Sequence, residues 1–208
     1  GGFSGGGINA VTKSGTNAFK GSVYGFYRDD SLVRSELNGR EFGTFEETQY
    51  GFSLGGPVVR DKAFFFVNAE LSRRDQPTGF SIGGSTGQDF GIRAEAETFG
   101  YDAGSLDEFT RGTDSDKIFA RLDFNLGESH QATFRHNYID ASNDIIRPNA
   151  FTYQFPNNRY EFNSETNSTV FQVNSIFSND IFNELRLTYQ TIKDRRNGVN
   201  PLPFVEIQ

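Results

Sequence analysis

The chain has 208 residues, of which 35% are hydrophobic, and it contains 23 phenylalanines, 8 tyrosines and no cysteine. The absence of cysteine excludes disulfides and any cysteine-based metal site or nucleophile within these residues. The formal net charge of −7 argues against non-specific binding to nucleic acid.

No apolar run approaches the roughly 20 residues that a membrane helix requires. The apolar residues instead come in short alternating stretches that predict seven β-strands, each near the ~9–11 residues that cross a bilayer at a tilt. The first residues lack the basic start and apolar core of a signal peptide, so we expect the chain to begin inside a longer polypeptide. The predicted strands cover residues 19–29, 49–58, 63–73, 117–126, 131–140, 168–178 and 183–195.

Alternation divides most of these strands into an apolar and a polar face. In the third strand Val67 and Leu71 alternate with Asn68 and Glu70. The first strand is ambiguous, because its two faces are both apolar, one with Tyr24 and Phe26 and the other with Val23 and Tyr27.

Charged side chains occupy the middle of several strands, as Glu70, Arg121, Asp123 and Arg186 do. An arginine that faced lipid at the bilayer midplane would cost about 2–4 kcal/mol. We therefore predict that these side chains face a watery lumen.

Long and short connections alternate strictly between the predicted strands. Segments 30–48, 74–116 and 141–167 are long, whereas 59–62, 127–130 and 179–182 are short turns. Long loops on one side and tight turns on the other are typical of an outer-membrane barrel, while a soluble sandwich has short turns at both ends. The pattern favours a transmembrane antiparallel β-barrel. Seven strands cannot close it without exposing sheet edges to lipid, so we expect about seven strands of a larger barrel.

Candidate sites for catalysis or for a ligand are weak in this sequence. His130 and His136 have no nucleophile in a recognisable arrangement, and we predict structural or solvated roles for both. The glycine-rich segment 83–87 lacks the lysine and the strand–loop–helix context of a phosphate-binding loop, which favours a loop tip. Acidic loop residues could bind Ca²⁺, but a solvated loop is favoured because no calcium-loop spacing is present; they are Asp102, Asp107, Glu108, Asp114 and Asp116.

Aromatic side chains near the strand ends fit the girdles that barrels place at the membrane interfaces. The residues of this group are Tyr50, Phe52, Phe64, Phe65, Tyr138 and Tyr189. A second group, in the long loops, is equally compatible with ligand or partner contact and with loop self-packing. These residues are Phe99, Tyr101, Phe109, Phe151, Tyr153, Phe155 and Tyr160.

Two segments carry a family resemblance. The run GGINAVTKSGTN (6–17), continued by FKGSVYGFYR (19–28), resembles the end of the plug domain and the first barrel strand of TonB-dependent outer-membrane receptors. The run FSLGGP (52–57), followed by RDKAFFF (60–66), is similar to the Oar-like branch, also called the OmpA-related, carboxypeptidase-regulatory-domain-containing receptors. The resemblance extends to specific residues over positions 1–73. From residue 74 onward only the pattern of strands and loops is similar.

The resemblance implies a domain division, with residues 1–18 ending a plug and residues 19–208 forming the N-terminal part of a 22-stranded type of barrel. Loops 30–48, 74–116 and 141–167 would be extracellular. It also implies transport of a bulky ligand across the outer membrane of a diderm, Gram-negative bacterium. The expected partners are the TonB complex through parts absent here, outer-membrane lipids and lipopolysaccharide, and a surface lipoprotein or other protein. We expect no enzyme activity, cofactor, metal or nucleic-acid partner.

Two other functions remain open at this point. The first is an outer-membrane surface, assembly or adhesion barrel whose long loops bind partner proteins. The second is a soluble, secreted β-sandwich that binds carbohydrate, against which the mid-strand charges opposite strong aromatics argue.

Overall fold

The structure is a computed structural model, and it describes residues 12–33, 36–37, 40–41, 43–77, 91–101, 110–146, 153–154, 156–199 and 206–207. Within these ranges no helix has the length and apolar character needed to cross a membrane.

One antiparallel sheet of seven strands dominates the described chain. Each strand pairs with the strand before and after it in sequence, so the sheet is a simple up-and-down meander. The strands are β1 (Lys20–Asp29), β2 (Glu46–Val59), β3 (Ala63–Pro77), β4 (Thr110–Asn125), β5 (His130–Ile145), β6 (Tyr160–Ser178) and β7 (Ile181–Gly198). Strands β1 and β7 are the two edges, and the barrel is not closed by these seven strands.

All seven predicted strands are confirmed, but they continue further than predicted at the long-loop end. Strand β3 runs on to Pro77, β4 begins at Thr110, β5 ends at Ile145 and β6 begins at Tyr160. The predicted loops 74–116 and 141–167 therefore begin and end in strand. The sequence does not predict these extensions, because polar residues dominate them and no sustained apolar–polar alternation marks them.

The two faces of the sheet differ in chemistry. The face that carries Glu70 and Arg121 is called the inner face, and the face that carries Phe52 and Val67 is called the outer face. The cross-strand register places Val23 opposite Phe52 and Tyr24 opposite Gly51, which puts Val23 and Tyr27 on the outer face and resolves the ambiguity of the first strand.

Large apolar side chains of the outer face are left exposed, among them Val23, Phe52, Ile118, Leu187 and Tyr189. The buried apolar residues within the described ranges are few, namely Ala63, Tyr101, Ala132 and Ile146. A soluble sheet would bury its apolar face against a second layer, whereas a contiguous exposed apolar face requires lipid or a partner.

The short turn between β2 and β3 is closed by a hydrogen bond from the Lys62 backbone N–H to the Val59 carbonyl, at 3.1 Å. Asp61 adopts a left-handed backbone conformation there, with φ of 62°. Pro57 lies in β2 beside a register shift between Pro57 and Val59, where its missing N–H leaves little of the ladder unpaired.

The long connections carry short elements of their own. Glu36–Leu37 pairs with Arg40–Glu41, and Tyr153–Gln154 pairs with Glu206–Ile207. Helix α1 (Ile92–Thr98) lies in the connection between β3 and β4. A single 3-10 turn follows β1 at Asp30–Leu32, and another precedes β6 at Pro156–Asn158.

Candidate functional site

A hydrogen-bonded network crosses four strands on the inner face. The Tyr24 hydroxyl of β1 donates to Glu70 Oε2 of β3 at 2.6 Å, across Gly51 of β2. Lys117 Nζ of β4 donates to Glu70 Oε1 at 2.8 Å. Glu70, which the sequence predicts to face the lumen, thus accepts a hydrogen bond from each side. The network links the side chains of β1, β3 and β4 on the inner face.

A second inner-face network is centred on Arg121 of β4. Its guanidinium makes a two-pronged contact with the Asp123 carboxylate at 2.8–3.0 Å, and Thr133 of β5 donates to the same carboxylate at 2.9 Å. Arg121 Nη1 also donates to the carbonyl and hydroxyl oxygens of Thr12, at 2.7 and 2.8 Å. The chain ahead of β1 is therefore attached to the inner face.

Two further contacts hold this N-terminal segment (Thr12–Phe19). Gly15 lies so close to the sheet that a Cβ built there would be 2.3 Å from the Phe65 carbonyl oxygen, a distance that only glycine permits. Asn17 accepts a hydrogen bond from the backbone N–H of Asp61 in the β2–β3 turn, at 2.9 Å. The segment thus runs along the inner face and is bonded at both of its ends.

A polar cavity of about 320 Å³ lies between the N-terminal segment and strands β3 to β6. Ser14 and Gly15 form one side of it. The opposite wall carries charged, amide and hydroxyl side chains, including Arg121, Asp123, Thr133, Arg135, Gln172 and Asn174. The cavity belongs to the inner face toward the short-turn end of the strands, and its lining suits a polar or ionic group.

The outer face carries tyrosines toward the long-loop end of four strands, namely Tyr27, Tyr50, Tyr138 and Tyr189. Charged residues of the outer face begin just beyond them, with Asp29, Arg73, Asp140 and Glu165. An apolar band that ends in tyrosines and then charges is the profile of a surface that passes from hydrocarbon to headgroups to water.

The class of protein follows from these two faces. A meander with long loops at one end, tight turns at the other, a charged inner face and an apolar outer face is the wall of an outer-membrane β-barrel, and the chain resides in the outer membrane. Residues 11–84 match the family model of an outer membrane beta barrel domain. This finding excludes the soluble carbohydrate-binding sandwich.

The chain is also similar to a named relative, the TonB-dependent transporter Oar of Myxococcus xanthus. The two are 41% identical over 71 residues, which is 30% of this chain and 7% of the relative. The resemblance to the Oar-like branch is thereby confirmed, and the chain spans less than a tenth of that relative's length. No solved structure matches the chain significantly.

The two histidines lie apart from the inner-face networks. His130 packs its ring against Phe177, with centroids 5.9 Å apart. His136 is on the outer face, where its Nδ1 lies 2.9 Å from the Thr169 hydroxyl. The structural or solvated roles expected for both histidines stay a prediction.

The acidic residues considered for Ca²⁺ are only partly covered by the structure. Asp102, Asp107, Glu108 and the glycine-rich segment 83–87 lie outside the described residues. Asp114 and Asp116 both pair with Arg73. Burial raises the pKa of the Asp114 carboxyl, and Asp75 adds to that rise, while Arg73 opposes it. Among the described residues no group of three or more potential metal ligands is found.

Five of the six aromatic residues predicted for the girdles lie on the face that a girdle requires, and Phe64 does not. Tyr50, Phe52, Phe65, Tyr138 and Tyr189 lie on the outer face. Phe64 pairs with Pro57 and Asp123 and lines the inner cavity instead. Phe64 has the same parity as Asn68 and Glu70, so the alternation of this strand already places it on the polar face, against its assignment to the girdle.

The loop aromatics divide into exposed and packed residues where they are described. Phe99 is 80% exposed after helix α1, whereas Tyr101 is buried and donates to Asn158 at 2.5 Å. Tyr160 begins β6 and lies beneath the Arg196 guanidinium, 5.9 Å from the ring centroid. Phe109, Phe151, Phe155 and the side chain of Tyr153 lie outside the described residues.

Sequence reasoning missed Thr12, Arg135 and Gln172 as parts of the inner site. Thr12 meets Arg121 across 109 positions of sequence, and Arg135 meets Gln172 across 37. The alternation does place Arg135 and Gln172 on polar faces, but only the strand register shows that they are neighbours.

Proposed function

We propose that this chain is part of a TonB-dependent transporter that moves a bulky ligand across the outer membrane. The observation that carries the proposal is the course of the N-terminal segment along the inner face, where Thr12 is bonded to Arg121. A plugged transporter needs its polypeptide to pass from the interior of the barrel into the first strand, and this geometry supports such a path. The similarity to Oar supports the same assignment.

In this proposal residues 1–18 end the plug and residues 19–208 begin the barrel. The inner-face networks form part of the wall of the passage, and the long loops at the far end take up the ligand. Energy comes from the inner membrane through the TonB complex, which contacts parts of the polypeptide outside this chain. Outer-membrane lipids and lipopolysaccharide surround the outer face, and a surface lipoprotein is a further partner.

The test compares cells that produce the full-length protein with cells that lack it, with the proton gradient intact or collapsed. Periplasmic extracts are analysed by untargeted mass spectrometry after growth in a complex medium. We expect at least one bulky solute to accumulate only when the protein and the gradient are both present. Accumulation that is indifferent to the gradient would contradict energy-coupled transport.

We also propose that the chain catalyses no reaction. The support lies in the placement of its histidines, since His136 is on the lipid side beside Thr169 and His130 packs against Phe177. Neither position would meet a polar substrate inside the barrel.

A second candidate function is a surface, assembly or adhesion barrel that binds partner proteins through its long loops. Phe99 favours this function, because this aromatic residue is 80% exposed at the end of a short helix. Tyr101, two residues further on, is bonded to Asn158 and holds this part of the loop in place. Substituting Phe99 by Ala would abolish partner capture by intact cells if this function is correct, and would leave it unchanged if Phe99 only decorates the loop.

A further inference from the structure

Arg135 of β5 differs from the other mid-strand cations of the inner face. Lys117, Arg121 and Arg186 each bond a carboxylate, those of Glu70, Asp123 and Glu184 respectively. To the residues that the structure describes, Arg135 makes one side-chain hydrogen bond, from Nη2 to Gln172 Oε1 at 3.1 Å. Within the described residues no carboxylate lies within salt-bridge distance of its guanidinium.

The Arg135 Nε is also buried and has no hydrogen-bond partner in the described structure. The guanidinium is always charged and presents its N–H groups as a rigid fork. A buried N–H donor without an acceptor costs roughly 1–3 kcal/mol of stability. We therefore expect the Arg135 Nε to donate to an acceptor that is not among the described residues.

The surroundings of Arg135 define what that acceptor is. Arg135 lies directly opposite Arg121 in the strand register, but the charge of Arg121 is balanced by Asp123. Among the described residues that line the cavity, Arg135 therefore carries a positive charge with no carboxylate to compensate it. The remaining polar lining of the cavity is neutral, with the amides of Asn125, Gln131, Gln172 and Asn174.

We propose that Arg135 and the amides around it form a binding subsite for a single carboxylate group inside the barrel. The Arg135 guanidinium, unpaired among the described residues, matches one carboxylate in charge, and its fork of N–H groups matches a carboxylate in shape. The cavity of about 320 Å³ accommodates such a group together with part of the molecule that carries it.

The carboxylate has two possible sources, a solute that enters the barrel or another part of the polypeptide. Residues 1–11, which directly precede the N-terminal segment, contain no aspartate or glutamate. An internal carboxylate would therefore have to come from further away in the full-length protein. The subsite rests on the proposed function in one respect, namely that the inner face lines a passage through the membrane. Its test measures binding and requires no transport.

The first experiment measures binding of succinate to the purified full-length protein in detergent, by a saturation-transfer NMR titration; one of its two carboxylates would bind the subsite and the other would stay in water. Arg135→Gln removes the charge and the fork, and we expect it to weaken succinate binding by roughly 10-fold or more. Arg186→Gln is the matched control, because Arg186 faces the same side of the sheet but is paired with Glu184 at 2.7 Å. We expect binding by this control to equal that of the unmodified protein.

The second experiment separates the internal source. If a carboxylate of the polypeptide fills the subsite, the unmodified protein will not bind succinate, and Arg135→Gln will lower its melting temperature. That loss should shrink as the pH falls through about 4, where carboxylates are protonated, whereas loss of the Gln172 contact alone would not depend on pH. The same pH series on Arg186→Gln gives the pH dependence that follows from removing a paired cation of the inner face.

The proposal would be overturned by one combined result. Succinate would fail to bind the unmodified protein, and Arg135→Gln would show no pH-dependent loss of stability compared with Arg186→Gln. Equal succinate binding by the unmodified protein and Arg135→Gln would overturn it as well.

Discussion

Gly51 illustrates how single residues fix the inner face. The ring of Tyr24 lies over it so closely that a Cβ at position 51 would be 2.3 Å from the ring carbon Cζ. The same ring is held in place by its hydroxyl bond to Glu70. A large residue on one strand and a glycine opposite it form a complementary cross-strand pair.

We predict that Gly51→Ala lowers the free energy of unfolding by about 1–3 kcal/mol, because the ring must move and the Glu70 contact is lost. The loss should largely disappear when Tyr24 is also replaced by Ala, which gives a coupling energy of at least about 0.5 kcal/mol. Urea unfolding of the full-length protein in lipid vesicles, followed by circular dichroism, measures both. Gly112→Ala is the control, since its nearest neighbours lie at 3.6 Å. Additive losses would rule out the pairing.

Asp29 at the end of β1 caps the following 3-10 turn, since its Oδ1 accepts from the Leu32 backbone N–H at 3.2 Å. Hydrogen bonds from the Ser31 hydroxyl and the Tyr27 hydroxyl hold the pKa of the Asp29 carboxyl below its usual value. A lowered folded-state pKa contributes stability that is present above the unfolded-state pKa and is lost as the pH falls through the folded-state value.

We therefore predict that the Leu32 amide is protected from hydrogen exchange at neutral pH and loses protection as the pH drops below the ordinary aspartate range, about 3.9. Asp29→Ala should remove the protection at every pH. Exchange rates of the full-length protein, measured by mass spectrometry and corrected for intrinsic pH dependence, check this. Protection that persists in Asp29→Ala would show that the cap contributes nothing.

At the scale of elements, the β2–β3 turn joins the sheet to the N-terminal segment. Asp61 has a φ of 62°, its N–H donates to Asn17, and its carbonyl accepts from the Asn125 side chain at 2.8 Å. The turn therefore depends on a backbone conformation that most residues avoid.

We predict that Asp61→Ala destabilises the protein by about 1–2 kcal/mol because alanine resists the left-handed conformation, while Asp61→Gly and Asp61→Asn cost much less. Thermal unfolding of the full-length protein in detergent micelles provides the measurement. If Asp61→Gly were as destabilising as Asp61→Ala, the side chain rather than the backbone would be the cause.

The strands could be predicted from sequence where one face is apolar and the other polar, as in the middle of β3 with Val67 and Asn68. They could not be predicted at the long-loop end, where both faces are wet. The side of β1 also escaped prediction, because both of its faces are apolar and only its register with β2, which sets Tyr24 opposite Gly51, assigns them. Arg135 shows the same limit, since its neighbours come from register and not from local pattern.

At the scale of the whole molecule, the outer tyrosines record the tilt of the strands. Residues that lie opposite one another on successive strands form a row across the sheet. Tyr27 is in the same row as Thr48, which is two residues from Tyr50 along β2. The row of Tyr50 reaches Asp140, two residues from Tyr138, and the row of Tyr138 reaches Thr191, two residues from Tyr189. From β1 to β7, which is six steps between neighbouring strands, the tyrosines therefore move three times by two residues along the strands. At about 3.3 Å per residue and about 4.8 Å between strands, these shifts correspond to a strand tilt of about 35° if the tyrosines lie at one depth in the membrane. Barrels have tilts of this size.

We predict that spin labels on cysteines introduced at Tyr50 and Tyr189 report the same depth in lipid vesicles. A label at Leu54, which shares a row with Tyr189, should lie about 11 Å deeper. Depth is measured by relaxation with oxygen and a polar nickel complex on the full-length protein. Equal depths at Leu54 and Tyr189 would mean that the strands run untilted and that the tyrosines form no ring.

The attachment of the N-terminal segment has a mechanical consequence. A tension applied to the polypeptide ahead of Thr12 reaches the Thr12–Arg121 bonds first, then the tight contact of Gly15, then the Asn17–Asp61 bond, and only afterwards the ladder of β1. Three successive fastenings would have to yield before the first strand felt the load. The load therefore enters the barrel wall at β4 and at the β2–β3 turn rather than at β1, and Arg121 is the first residue of the wall to bear it.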